Sequence, residues 1–198
     1  GDLYWLSAGR GALHNESPRP NARIHGLQVF VNAPQVRRFD PPVSLLVRSK
    51  DMPVIANTDF RLKVVMGESN GVISVASPSI SMTILDGAVQ PGGTFSHHAA
   101  ANRGIWVQSV EGPLDVVAGE KTTHLDPGQG VAIKTSGHAK IIIRSASDET
   151  VHFALFDGAE VAENYVQDGP FVMGSVEQIA TIKANYKSGH LGSIPDDH

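Results

Sequence analysis

The sequence predicts an all-β fold of small barrels with one helix near its C-terminal end. Three observations predict it. Twenty glycines and 12 prolines are spread along all 198 residues. Between them lie short runs rich in Val, Ile, Leu and Thr, each closed by Gly, Asp or Pro at a spacing of roughly 8 to 12 residues. Helical periodicity is nearly missing until Ser175.

In chain order, Leu3 to Leu6 reads as the end of a strand. Two glycines and Ala12-Leu13 then lead into a strand bearing His14. Residues 23–34, R-I-H-G-L-Q-V-F-V-N-A-P, place Leu27, Val29 and Val31 on one face and Gln28 and Phe30 on the other, which predicts a strand. The stretch F-D-P-P-V-S breaks that pattern. P-V-I-A-N and F-R-L-K-V-V-M-G-E-S predict a hairpin turning at Asn57-Thr58-Asp59. Gly67 to Pro78 is rich in Ser and Gly and reads as a linker. Further strands are predicted at 79–86, 104–112, 113–119, 120–126, 128–135, 139–146 and 150–158, which suits a small antiparallel barrel. Residues 175–189 predict the helix. Ser175 caps it, Gln178 completes an S-x-x-Q capping box, and Val176, Ile179, Ile182 and Tyr186 form the apolar stripe. Gly189 ends it, and the polar tail S-I-P-D-D-H is expected to be mobile.

Composition narrows the function classes. Sixteen basic and 20 acidic residues give a net charge of -4, with no long run of either sign, so no broad footprint for nucleic acid is visible. Cysteine is absent, which excludes disulfides, zinc-thiolate sites and thiol catalysis and fits a cytoplasmic protein. No apolar run approaches the ~20 residues of a membrane span, and no signal-peptide pattern is present. Direct nucleic-acid and membrane partners are therefore not expected.

Chemistry concentrates at His14 and Glu16. In a strand, residues two apart share a face, so both side chains project together. An imidazole and a carboxylate suit a borderline divalent metal such as Fe(II), Mn, Ni, Cu or Zn. Mononuclear sites of this kind take three or four protein ligands, so two do not complete one. Spacing alone equally describes a surface histidine beside a solvated glutamate.

The surrounding residues carry more. G-D-L-Y-W-L-S-A-G-R-G-A-L-H-N-E-S-P, residues 1–18, resembles the metal-site segment of the pirin family, close to G-D-x-x-W-M-T-A-G-x-G-x-x-H-S-E-x-P. Gly1, Asp2, Trp5, Ala8, Gly9, Gly11, His14, Glu16 and Pro18 fall on that pattern; Ser7 replaces Thr and Asn15 replaces Ser. H-G-L-Q-V-F-V-N-A-P is similar to the family's H-G-L-Q-L-W-V-N-L-P. Y-V-Q-D-G-P-F-V-M-G-S-V-E-Q-I, Tyr165 to Ile179, is similar to its Y-G-P-F-V-M-N-T-x-x-E-I segment.

The resemblance implies a bicupin, two tandem jelly-roll barrels of the double-stranded β-helix type. Residues 1–75 would be the remaining part of the N-terminal barrel and 76–158 the C-terminal barrel. Residues 159–198 would be a helix and tail packing back on them, with G-P-F-V at Gly169 to Val172 fixing the chain there. It also implies one metal, typically iron, held in the N-terminal barrel by three histidines and a glutamate. His14 and Glu16 would be the last two ligands. The first two belong to an H-P-H-R segment before the G-D start, which this sequence does not contain. The expectation is a chain lacking the N-terminal part of its first barrel, with Fe(II) or another divalent metal in the intact protein and weak or absent metal here. The implied activity is that of a metal-dependent, O2-using quercetin 2,3-dioxygenase, with a small flavonol-like aromatic substrate and Glu16 as ligand and base. The alternatives are a non-enzymatic, iron-dependent regulatory module that binds a protein, and an inactive, metal-free fragment.

Set on the family's cupin pattern through Glu111-Gly112, the ligand positions of the second barrel fall on His98, Ala100 and Gly104. Set through Pro127-Gly128, the next falls on Ile141, three residues from His138. A metal-free second barrel follows, with His97 and His98 as loop residues; a His98–His138 pair is the alternative. Trp5 and Trp106 read as core, and His25 as a hydrogen-bonded structural histidine. Arg10, between two glycines, either faces a ligand or is a solvated loop cation.

Overall fold

A computed structural model describes residues 1–18 and 20–194. The end of the tail that was expected to be mobile, residues 195–198, lies outside the described residues. In chain order the strands are β1 (Leu3–Ser7), β2 (Val43–Val47), β3 (Val54–Ala56), β4 (Phe60–Met66), β5 (Glu68–Ser69), β6 (Val72–Ile73), β7 (Met82–Val89), β8 (Thr94–Ala99), β9 (Arg103–Glu111), β10 (Leu114–Ala118), β11 (Lys121–Leu125), β12 (Gly130–Thr135), β13 (Ala139–Ser145), β14 (Val151–Ala159), β15 (Val166–Asp168) and β16 (Phe171–Met173). Among the described residues one α-helix, α1, spans Val176–Lys187, and two single 3-10 turns lie at Gln35–Arg37 and Ser49–Asp51. The predicted all-β class with a single C-terminal helix is what the chain adopts. Among the described residues no helix is long and apolar enough to cross a membrane.

Contacts divide the chain into two units. Among the described residues, one comprises 3–46 and 161–194 with Gly1; the other comprises 47–160 with Asp2. The larger unit is a two-sheet antiparallel β-sandwich. A six-stranded antiparallel sheet, ordered β12-β9-β14-β7-β4-β3, packs on a four-stranded one ordered β11-β10-β13-β8. Strict alternation builds the core between them. On β13, Ile141 and Ile143 point inward while Lys140 and Arg144 face out; on β9, Ile105, Val107 and Ser109 point inward. Phe95, Phe153, Leu62, Leu85 and Leu114 complete a core that is closed to solvent.

Four features differ from the sequence reading. Residues 94–99 form a strand, not a loop, because Phe95, His97 and Ala99 alternate inward against β13. Gly67 to Pro78, read as a linker, carries the β5–β6 hairpin. The division drawn at residue 75 falls elsewhere by contacts, after Leu46, since β4 is hydrogen-bonded to β7 along its length.

The fourth difference is the largest. Residues 11–18 and 20–34 form no strand, although both His14 and the 23–34 alternation predicted one. Alternation marks two faces but supplies no ladder, and a strand exists only where a neighbour accepts its hydrogen bonds. No partner pairs with 23–34 among the described residues, and Phe30 stays 86% exposed.

In the smaller unit, α1 packs on the β15–β16 hairpin. Ile179, Ile182 and Met173 form its core, with Val166 and Phe171 against them. Val176, predicted within the stripe, is exposed, and Tyr186 contributes only a tilted ring contact to Phe171 at 5.9 Å. Gly169-Pro170 makes the hairpin turn, with Gly169 at φ +60°. Ser175 caps the helix as predicted, with Gln178 N donating to Ser175 Oγ at 3.3 Å; the reciprocal bond of the predicted box is shifted by one residue, Gln178 Oε1 accepting from Gly174 N at 2.8 Å. Replacing Ser175 by Ala removes one of these and is expected to cost about 1 kcal/mol, read as a lower urea midpoint for the helical signal. Buried Arg38 ties the unit together. It donates to Ala33 O (3.0 Å), Asn32 Oδ1 (3.3 Å) and Asn164 O (3.0 Å).

Candidate functional site

The pair predicted from sequence does come together, without a strand to hold it. His14 Nδ1 lies 3.3 Å from Glu16 Oε1, and both side chains are about half exposed, at 41% and 50%. Gln28 Nε2 donates to Glu16 Oε2 at 3.0 Å, so the predicted 23–34 segment returns to the pair through a side chain and not through a ladder. Upstream, Trp5 is half-buried and its indole N–H donates to Ser7 Oγ at 2.8 Å. His25, expected to be a hydrogen-bonded structural residue, is instead exposed.

The donor set is one imidazole nitrogen and one carboxylate, with a neutral amide beside it. These suit a borderline divalent metal in kind, but they fall short in number. Among the described residues no three His, Cys, Asp or Glu side chains gather into a metal-sized cluster. The residues present therefore do not fit a complete mononuclear centre.

The second barrel concentrates its polar chemistry elsewhere than at His98 and His138, both of which are exposed. His97, read from sequence as a loop residue, is only 2% exposed and sits on β8 inside the sandwich. Its Nε2 lies 2.9 Å from Asp157 Oδ2, and its Nδ1 lies 3.1 Å from Ser69 Oγ. An ionised carboxylate only accepts, so the ring nitrogen facing Asp157 carries the hydrogen. Arg103 completes the group: Nε donates to Asp157 Oδ1 at 2.5 Å, Nη2 to Asp157 O at 2.9 Å and Nη1 to Ser81 Oγ at 3.0 Å. Burial by itself would raise the Asp157 pKa. Hydrogen bonds from His97 and Arg103, with the guanidinium's charge, outweigh that and hold the carboxyl below its ordinary 3.8.

Ser69, His97 and Asp157 match a nucleophilic triad in composition, but Ser69 and His97 are both buried, so a substrate carbonyl has no approach to the serine oxygen. The group is a crosslink between the two sheets. One sequence signal pointed to it: Asp157 interrupts the apolar run F-A-L-F-D-G. Trp106, read as core, is 43% exposed, because the alternation that buries Ile105 and Val107 turns it outward; its N–H donates to Gln108 Oε1 at 3.3 Å.

The family described as the Pirin C-terminal cupin domain matches residues 84–192, more than half of the chain. Pirin from Homo sapiens is 26% identical over 192 residues, covering 97% of this chain and 66% of its own length. A pirin-like protein of Arabidopsis thaliana is 27% identical, over 97% and 70% respectively. The chain thus spans about two thirds of the length of the curated relatives it matches. Among solved structures, a Geobacillus kaustophilus protein superposes with a TM-score of 0.73 at 27% identity, covering 83% of this chain and 66% of its own. A quercetin 2,3-dioxygenase from Acinetobacter baumannii superposes with a TM-score of 0.72 at 24% identity, over 83% and 56%. That last likeness is one of fold.

Proposed function

This chain belongs to the pirin family, and from that premise we propose that it serves in a metal-dependent cupin protein acting on small flavonol-like aromatics, in the manner of a quercetin 2,3-dioxygenase. The observation that carries the reading is the approach of His14 to Glu16 at 3.3 Å within the segment that matches the family pattern. In this reading the pair supplies two ligands to Fe(II) or a similar divalent ion, and the remaining ligands come from outside the described residues. Such an ion, held in part by His14 and Glu16, would supply Lewis acidity and access to O2. Glu16 is placed to accept the proton of a ring hydroxyl, and the Gln28 amide holds its second oxygen in position. We place the protein in the cytoplasm, on the absence of cysteine.

The test is an aerobic quercetin assay on the full-length, iron-loaded protein beside a His14→Ala variant, with iron measured per chain. Quercetin consumption is expected in the parent. The variant should lose iron affinity by at least the roughly 10–100-fold that follows loss of a ligand's supporting partner, and turnover with it. No turnover in the parent, with the variant indistinguishable, would exclude the dioxygenase reading. The non-enzymatic alternative then gains, and it has its own observation. Ile24, Leu27, Val29 and Phe30 expose an apolar run suited to a protein partner.

A further inference from the structure

The Gly9-Arg10-Gly11 turn takes no part in the chemistry above. Gly9 adopts φ +51°, and a side chain there would run into the carbonyl oxygen of Asp40. Gly11 adopts φ +119°, and a Cβ there would come within 2.7 Å of Leu191 Cδ2. Both positions therefore need glycine. The backbone adds two hydrogen bonds, Arg10 N to Asp40 O at 3.0 Å and Gly11 N to Ala8 O at 2.8 Å. The turn is clamped on both sides, and the one side chain it presents is that of Arg10.

Arg10 lines a cleft of about 340 Å³ together with Gly11, Pro42, Asn185, His190 and Leu191. Among the described residues no carboxylate lines this cleft. Among the described residues Arg10 has no acidic partner within ion-pair distance, a condition it shares with Arg23, Arg38, Arg61 and Arg144; of these it is the one that lines the cleft.

We propose that this cleft binds a small organic carboxylate with an apolar body, held by the Arg10 guanidinium. A planar guanidinium on a fixed backbone matches the two oxygens of a carboxylate. Pro42 and Leu191 supply an apolar wall for the rest of the molecule, and Asn185 and His190 supply polar edges. Charge selects the class. Asn185 and His190 stand at the C-terminal end of α1, where the aligned peptide dipoles carry partial negative charge. That end disfavours anions, a dianion more than a monoanion, so the Arg10 guanidinium has to outweigh it and phosphate is the poorer ligand. The proposal does not rest on the metal reading, since neither His14 nor Glu16 lines the cleft.

The experiment is an NMR titration of the uniformly ¹⁵N-labelled chain with benzoate, and in parallel with phenyl phosphate. Saturable shifts with benzoate at the amides of Arg10, Gly11 and Leu191 are expected, with phenyl phosphate binding more weakly. R10Q should weaken benzoate about tenfold or more at an unchanged urea midpoint. N185W, which fills the cleft and keeps Arg10, should abolish the shifts. Absence of saturable shifts with benzoate, equal affinity in R10Q, or tighter binding of phenyl phosphate would each overturn the proposal.

Discussion

Asp157→Ala is expected to destabilise the 47–160 unit by about 3 kcal/mol, because it strands a largely buried guanidinium with no counter-charge and leaves buried His97 without its partner. Asp157 joins the two sheets. It lies on β14 of the six-stranded sheet, receives Arg103 from neighbouring β9, and reaches His97 on β8 of the opposite sheet. Every buried side-chain polar atom described has a hydrogen-bond partner, so removing the carboxylate leaves several groups unsatisfied at once. The melting temperature should fall by roughly 10 °C. Replacing the pair together, as Arg103→Met with Asp157→Leu, should cost less than the single Asp157→Ala change, since no unpaired charge remains. A single change that leaves the urea midpoint in place would refute the crosslink.

The same carboxylate sets a pH dependence. Its pKa in the folded chain lies below the ordinary 3.8. Unfolded chains bind its proton more readily, so the group contributes stability at every pH above 3.8. That contribution is lost as pH falls from there through the folded value. The stability difference between the parent and Asp157→Asn should therefore be flat near neutrality and shrink below about pH 4. A difference that grows on acidification would contradict the assignment.

Phe153→Ala is the second large effect, about 3–5 kcal/mol from lost burial and the cavity left behind. Phe153 is fully buried and stacks on Phe95 at 5.8 Å, and Phe95 meets Phe60 edge-on at 5.0 Å. It also faces Gly87 across the ladder, where a Cβ would already approach the ring to 3.0 Å. The site is too closely fitted to refill easily. Ile73→Ala, on a side chain 71% exposed in the same unit, should change stability by no more than about 0.5 kcal/mol. Urea unfolding of both variants makes the comparison, and equal losses would refute this description of the core.

Periodicity carried most of the fold. The turn-punctuated apolar runs located nearly every strand of the large sandwich, and the S-x-x-Q cap with its isoleucines located α1. Strand β8 was missed because T-F-S-H-H-A carries two adjacent histidines, and a histidine reads as polar even when an aspartate waits for it across the core. Trp106 was misplaced for the converse reason. A large aromatic reads as core, yet register decides which face it takes. At the candidate site, the approach of His14 to Glu16 was legible from two-residue spacing, although the predicted strand is absent. Gln28 was not, since a contact across 12 residues of irregular chain leaves no local pattern.

By itself, then, the sequence determined what short-range chemistry determines: the β class, the helix and its cap, the turns, and the family motifs around His14 and Glu16. Tertiary structure alone decided what depends on a distant partner. It decided which alternating segments find a ladder and become strands, and that His97, Asp157 and Arg103 meet. It also decided that Arg10 faces a cleft closed by Asn185, His190 and Leu191. The physical reason is one of range: propensity and alternation act over a few residues, whereas burial and charge pairing are set by neighbours dozens of positions away.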